Sequence, residues 1–294
     1  MATELIARLF LDQSNYERRE ATEAILSDNS SRCNAPVSAS SPPQLLRQTY
    51  GNRARQPTES PEPETPWAGL IDPHLVLSFS HMPSTQHGFV FGRDTRADIM
   101  LPEDLKGISY HHCAITFSKN FPDGRYRLVI RDLGSLTGTS VDYNDVKTEK
   151  RSNFVWILDP DMRNIVIRLH KDIVFRVEVV IKDTESPAQL RRIGQFLRPR
   201  SPEALLDALQ LDTGRTTRAT GSHTPKTGPI LVKLKTLGQG SFGSVSRSWN
   251  VSTGVSYAVK EPSELAKATR NFDTEAWRNE GQTLIKLKHV SCVP

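Results

Sequence analysis

The chain has 294 residues, of which 37% are hydrophobic and 24% charged, and a formal net charge of +5. That length holds two ordinary domains, and the modest apolar fraction points to folded units separated by solvated linkers. The charge excess is too small to be a nucleic-acid footprint by itself. Cys33, Cys113 and Cys292 have neither metal spacing nor an even count, which indicates a reducing, intracellular setting.

In chain order, residues 2–26 read as a helix with Leu5, Leu9 and Phe10 on one face, interrupted by charges and so unlike a secretory leader. Ser27 to Pro66 is rich in Ser, Pro, Thr, Asn and Glu and is expected to be disordered, with Ser60-Pro61 and Thr65-Pro66 as candidate proline-directed phosphorylation sites. The first unit is therefore a largely disordered tail over 1–66. From Trp67 short β-branched and aromatic runs follow one another, from His74–Ser80 through Gly88–Gly92, Cys113–Phe117, Tyr126–Arg131, Asn153–Leu158 and Asn164–Leu169 to Asp172–Ile181. Gly, Pro, Asn and Asp punctuate them, the pattern of an antiparallel β-sandwich over 67–183.

Residues 184–228 read as a linker with two short helices. The first carries Leu190, Ile193, Phe196 and Leu197 with arginines opposite; the second starts at Ser201-Pro202-Glu203. Strand patterns resume at Ile230 and define a fourth unit, 229–294. The fold class expected is mainly β, with no membrane-spanning segment.

Three motifs stand in order on the sandwich: Gly92-Arg93 at a strand end, Ser109-Tyr110-His111-His112, and Asp132-Leu-Gly-Ser-Leu-Thr-Gly-Thr139. This order resembles the forkhead-associated (FHA) domain, a phosphothreonine-peptide-binding sandwich. An arginine fork and a serine hydroxyl suit a group of about −1.5 to −2 charges with three acceptor oxygens. The resemblance assigns the phosphate to Arg93 and Ser109, and places Tyr110, Leu136 and Thr137 beside the peptide. Gly92, His112, Asp132 and Gly138 would shape the loops from behind. Where this family usually has Thr-Asn-Gly-Thr, this chain has Leu136-Thr137-Gly138-Thr139, and Tyr110 stands where a polar phosphate contact is common. An altered choice of flanking residues follows.

Further on, Leu237-Gly-Gln-Gly-Ser-Phe-Gly-Ser-Val245 precedes Tyr257-Ala-Val-Lys260 and, 20 residues later, Glu280. A glycine-rich turn alone also fits a dinucleotide-binding fold, with Glu261 near the place of a ribose-binding acid. There the glycines lead into a helix, whereas Ser244–Trp249 and Val255–Lys260 are strand-like around an Asn250–Gly254 turn. The segment looks like the front of a serine/threonine protein kinase domain. The resemblance gives ATP as ligand. Leu237, Gly238, Gln239, Gly240, Ser241, Phe242 and Gly243 form the phosphate loop. Val245 and Ala258 line the adenine, Lys260 meets the α- and β-phosphates, and Glu280 holds Lys260. A helix over Phe272–Lys288 carries Glu280.

No His-Arg-Asp, Asp-Phe-Gly or Ala-Pro-Glu motif occurs. No catalytic residue is assigned, no phosphotransfer is expected from this polypeptide, and Mg2+ is expected only in a longer kinase. FHA before kinase resembles the checkpoint kinases of the DNA-damage response, which implies a nuclear setting, phosphothreonine-containing partners and phosphorylation-dependent self-association. The alternative reading is the front portion of a full-length active kinase of that type. A nucleic-acid-binding reading rests on the arginines between Arg191 and Arg200; it lacks stacking aromatics, because Phe196 belongs to the helix core.

Overall fold

The computed structural model describes residues 4–34, 73–198, 228–240, 243–262 and 274–286. Ser60-Pro61, Thr65-Pro66, the helix expected after Ser201, and Ser241 and Phe242 lie outside the described residues.

Eleven strands make two sheets. One sheet joins β1 (Leu5–Leu11), β2 (Cys33–Asn34), β3 (His74–Ser78), β8 (Ser140–Tyr143), β10 (Ile165–Arg168) and β11 (Val174–Val179), in the order β2-β3-β1-β11-β10-β8. The other joins β4 (Phe89–Gly92), β5 (Ile99–Met100), β6 (Cys113–Ser118), β7 (Arg127–Asp132) and β9 (Val155–Ile157), in the order β5-β4-β6-β7-β9. The sheets face each other over one apolar core. Phe91 of the second sheet meets Phe175 of the first edge to face at 5.8 Å. Strand β11 shows why the sequence folds this way: Phe175, Val177 and Val179 are buried, while Arg176 and Glu178 face out.

The amino-terminal segment departs from expectation. Residues 5–11 form a strand, not a helix, and it lies between β3 and β11. Ile6, Leu9 and Leu11 are buried in the core. The helix, α1, spans Tyr16–Asp28 and is capped by the Asn15 side chain, which accepts from Arg18 N at 2.8 Å. Residues 4–34 are therefore part of the sandwich, and the disordered tail expected over 1–66 does not include them.

Asn29, just after α1, acts as a strand of one residue. Its Nδ2 donates to Met100 O and its Oδ1 accepts from Met100 N, both at 2.9 Å. The edge of β5 thus has its backbone groups satisfied by a side chain. Asn29→Ala is expected to cost about 2 kcal/mol, because two partly buried backbone groups of Met100 lose their partners. Denaturant unfolding checks this, and a loss under ~0.5 kcal/mol would remove the role from Asn29.

Helix α2 (Pro187–Phe196) lies in the segment expected to be linker, yet it closes one end of the core. Phe196 sits among Phe79, Phe89 and Phe117 at ring distances of 6.2, 5.2 and 5.4 Å. Buried Ile193 and Phe196 anchor the helix to the core.

A third sheet follows, β12 (Leu231–Gln239), β13 (Gly243–Asn250) and β14 (Ser256–Pro262), with a helix α3 (Thr274–Lys286). It covers the side of the sandwich where β8 and β9 are the last strands. Trp249, 4% exposed, meets Tyr143 edge to face at 5.3 Å. Ile157 N donates to Val251 O at 2.8 Å, and Arg151 Nη2 donates to Gly228 O at 3.3 Å. Ile230, Val232, Trp249 and Val251 join the sandwich core. This packing covers Tyr143 of β8, an edge strand, while Thr148 and Arg168 cover Asp142.

Candidate functional site

The phosphate-binding candidates gather at the end of the sandwich where β7 stops. Asp132, 2% exposed, builds the turn there. Its Oδ1 accepts from the backbone N–H groups of Gly134, Ser135 and Asn153 at 2.9, 2.9 and 3.0 Å. Its Oδ2 accepts from the hydroxyls of Ser135 and Thr139 at 2.5 and 2.8 Å. Ser135 Oγ in turn accepts from Gly138 N at 3.0 Å. Gly138 has φ +73°, and a Cβ there would stand 3.1 Å from the Arg151 backbone, so glycine is required twice over. The turn thereby presents Leu136 and Thr137 outward.

A second loop is locked to this turn. Ser109 Oγ accepts from Leu136 N at 3.0 Å, and Thr137 Oγ1 donates to Gly107 O at 3.0 Å. His112 is fully buried behind them. It takes the Ser109 N–H on Nδ1 at 3.3 Å, donates its own backbone N–H to Phe91 O at 2.7 Å, and receives Leu133 N at 3.0 Å. Burial pushes its imidazole below the usual value, and the nearby Asp132 carboxylate opposes this only in part. The ring is neutral at pH 7, as an acceptor Nδ1 requires.

The third element is the end of β4. Arg93 N donates to Ser109 O at 3.3 Å and Asp94 N to Tyr110 O at 3.2 Å, which zips the 93–94 and 109–110 segments together. Such approach needs Gly92, since a Cβ would lie 1.8 Å from Tyr110 O. The Arg93 guanidinium stacks over the Tyr110 ring at 4.6 Å, and its Nε is buried without a hydrogen bond. No carboxylate pairs with Arg93 among the described residues. The adjacent Asp94 is held instead by Arg96 at 3.0 Å and His111 at 3.4 Å. Arg96 hydrogen bonds depress its pKa to about 2. An unneutralised cation therefore stands beside a serine hydroxyl and a glycine-rich turn, a geometry that accepts a compact anion. Arg93, Ser109, Tyr110, Leu136 and Thr137 all lie at this end.

An FHA-domain family model matches residues 89–157. The matched FHA segment holds Arg93, the Ser109–His112 loop and the Asp132–Thr139 turn, within a mainly β sandwich of FHA type. β1, β2, β3, β10 and β11 complete that sandwich from outside the segment. Among solved structures the chain is similar to a crystal structure of Rad53 residues 1–466 in complex with AMP-PNP, at 21% identity and a TM-score of 0.33. The likeness covers 75% of this chain and 47% of that one, so the chain spans about half its length. The search of curated proteins finds no match.

The second cluster lies on the three-stranded sheet. Lys260 of β14 donates to both carboxylate oxygens of Glu280 on α3, at 2.6 and 2.7 Å, and its ammonium lies 4.8 Å from the Trp277 ring. Val245 pairs with Lys260 and Arg247 with Ala258, so Val245, Ala258 and Lys260 share a face. The hairpin linking β12 to β13 is drawn in by Gly240 N donating to Gly243 O at 2.8 Å. Gly243 has no room for a side chain, because a Cβ would stand 2.5 Å from Glu261 O. Leu237, Gly238, Gln239 and Gly240 are exposed. The glycines join two antiparallel strands, which excludes the dinucleotide-fold alternative.

Sequence reasoning missed Asn29, Arg151 and Trp277. Trp277 had a readable signal, since it lies three residues before Glu280 on a helix and so on the same face. Arg151 had none: its role depends on Thr139 and Gly228, which are distant in sequence.

Proposed function

We propose that the chain is a phosphothreonine-peptide receptor whose FHA end is joined to a nucleotide-gripping sheet, in the manner of a checkpoint-type serine/threonine kinase. One observation carries the receptor reading: Arg93 is held in place by Tyr110 stacking and by its backbone bond to Ser109, with no carboxylate paired to it among the described residues. A phosphate dianion supplies the missing counter-charge.

The test is anisotropy of a labelled threonine peptide, with and without phosphate, on the full chain and on Arg93→Ala. Phosphate should tighten binding at least about 30-fold, and Arg93→Ala should abolish that gain, in line with ~2 kcal/mol or more for a charged hydrogen-bonded pair. Equal binding of both peptides to the natural chain rules the receptor out.

For the rear sheet, ATP suits the residues present. Lys260 would neutralise the phosphates, Glu280 fixes the ammonium, and the exposed 237–240 backbone offers N–H groups. Glu280→Gln is expected to weaken binding of a fluorescent ATP analogue several-fold by freeing Lys260. An unchanged Kd would detach the ion pair from nucleotide binding.

A further inference from the structure

Only a few large apolar side chains stand in solvent among the described residues, and two of them flank Arg93. Tyr110 is 65% exposed and Leu136 is 83% exposed. The Ser109 Oγ bond to Leu136 N, 3.0 Å, sets the loop bearing Tyr110 beside the turn bearing Leu136. Tyr110 is oriented by the guanidinium stacked on its ring at 4.6 Å. Polar groups nearby have their hydrogen-bond capacity partly used. The Thr137 hydroxyl proton goes to Gly107 O, and Asp94 is occupied by Arg96 and His111.

We propose that this site selects phosphothreonine peptides carrying an apolar side chain next to the phosphorylated residue, seated against Leu136 and Tyr110 while the phosphate meets Arg93. The inference rests on the phosphopeptide reading above and names its substrate class. Two effects reinforce each other. Burying an aliphatic group on Leu136 and the tyrosine ring is favourable in proportion to the area removed from water. The same group excludes water from the Arg93–phosphate pair and lowers the local dielectric, which strengthens it. A small polar neighbour gives neither effect. An acidic neighbour would add attraction to Arg93 but leave Leu136 in water.

The experiment titrates the full chain with phosphothreonine peptides in which each position flanking the phosphothreonine is set in turn to Leu, Ser or Glu. At one flanking position leucine should bind about tenfold more tightly than serine, and more tightly than glutamate. Leu136→Ser and Tyr110→Ser are each expected to bring the leucine peptide down towards the serine peptide. Both side chains are exposed, so the melting temperature of each variant reports folding independently. Phosphate-dependent binding that is indifferent to the neighbours, or a leucine preference that survives both substitutions, overturns this inference and leaves the receptor reading standing. Loss of phosphate dependence in the natural chain removes both.

Discussion

Asp132→Ala is expected to destabilise the sandwich by about 4 kcal/mol, because one buried carboxylate accepts five hydrogen bonds and its removal strands all five donors. For a unit of this size that is roughly 8–16 °C in melting temperature. Asp132→Asn separates charge from geometry. Its carbonyl can still take the three backbone N–H groups, and the Ser135 and Thr139 hydroxyls can rotate to accept from the new amide. The asparagine variant should therefore lose only ~1 kcal/mol. Thermal unfolding of both variants decides the matter, and equal losses would show that charge, not the acceptor pattern, holds the turn. Where Asp132→Ala remains folded, phosphate-dependent peptide binding should fall with it, since Leu136 and Gly138 lose their fixed positions.

Trp249→Ala has the second large effect. Its indole is almost wholly buried on Tyr143, and the cavity left behind should cost about 3–5 kcal/mol. The location of the loss is the sharper readout. Hydrogen exchange should accelerate through β12, β13 and β14, while the amides between β6 and β7 keep their protection. Uniform acceleration across the chain would mean that the three-stranded sheet and the sandwich unfold as one cooperative body. Trp249→Phe keeps an aromatic edge toward Tyr143 and should lose roughly half as much.

Much of the sandwich was legible. In β11 the alternation around Arg176 and Glu178 marks a half-buried strand, and glycine, proline and asparagine frame most others. β1 was misread because Leu5, Leu9 and Phe10 fit a helical period as readily as a strand. Its true neighbours, β3 and β11, lie some 65 and 165 residues away, and nothing local announces them. β8 was missed because Ser140 and Asp142 look like turn residues. In the fold Asp142 is held by Arg168 Nε at 2.7 Å and Thr148 N at 3.1 Å, so it can be buried. At the candidate phosphate site the three ordered motifs were readable, and the fold brings them to one end of the sandwich. Their arrangement was not: the stacking of Arg93 on Tyr110 and the engagement of Thr137 with Gly107 arise only when separate loops meet. Nothing in the sequence of the rear sheet shows that Trp249 packs on Tyr143 or that Val251 O accepts from Ile157 N, because both partners belong to another unit.

Arg151 links the Asp132–Thr139 turn to the third sheet. Its backbone is bridged to Thr139 in both directions, at 3.0 and 2.8 Å, and its side chain reaches the carbonyl of Gly228, where the chain enters the third sheet. The Asp132–Thr139 turn and the lysine-bearing sheet thus lean on a common post. Gly228 stands where the chain enters β12, at the opposite end of that strand from Gly238 and Gln239, so the post fixes the foot of the third sheet and leaves the glycine turn outside its reach.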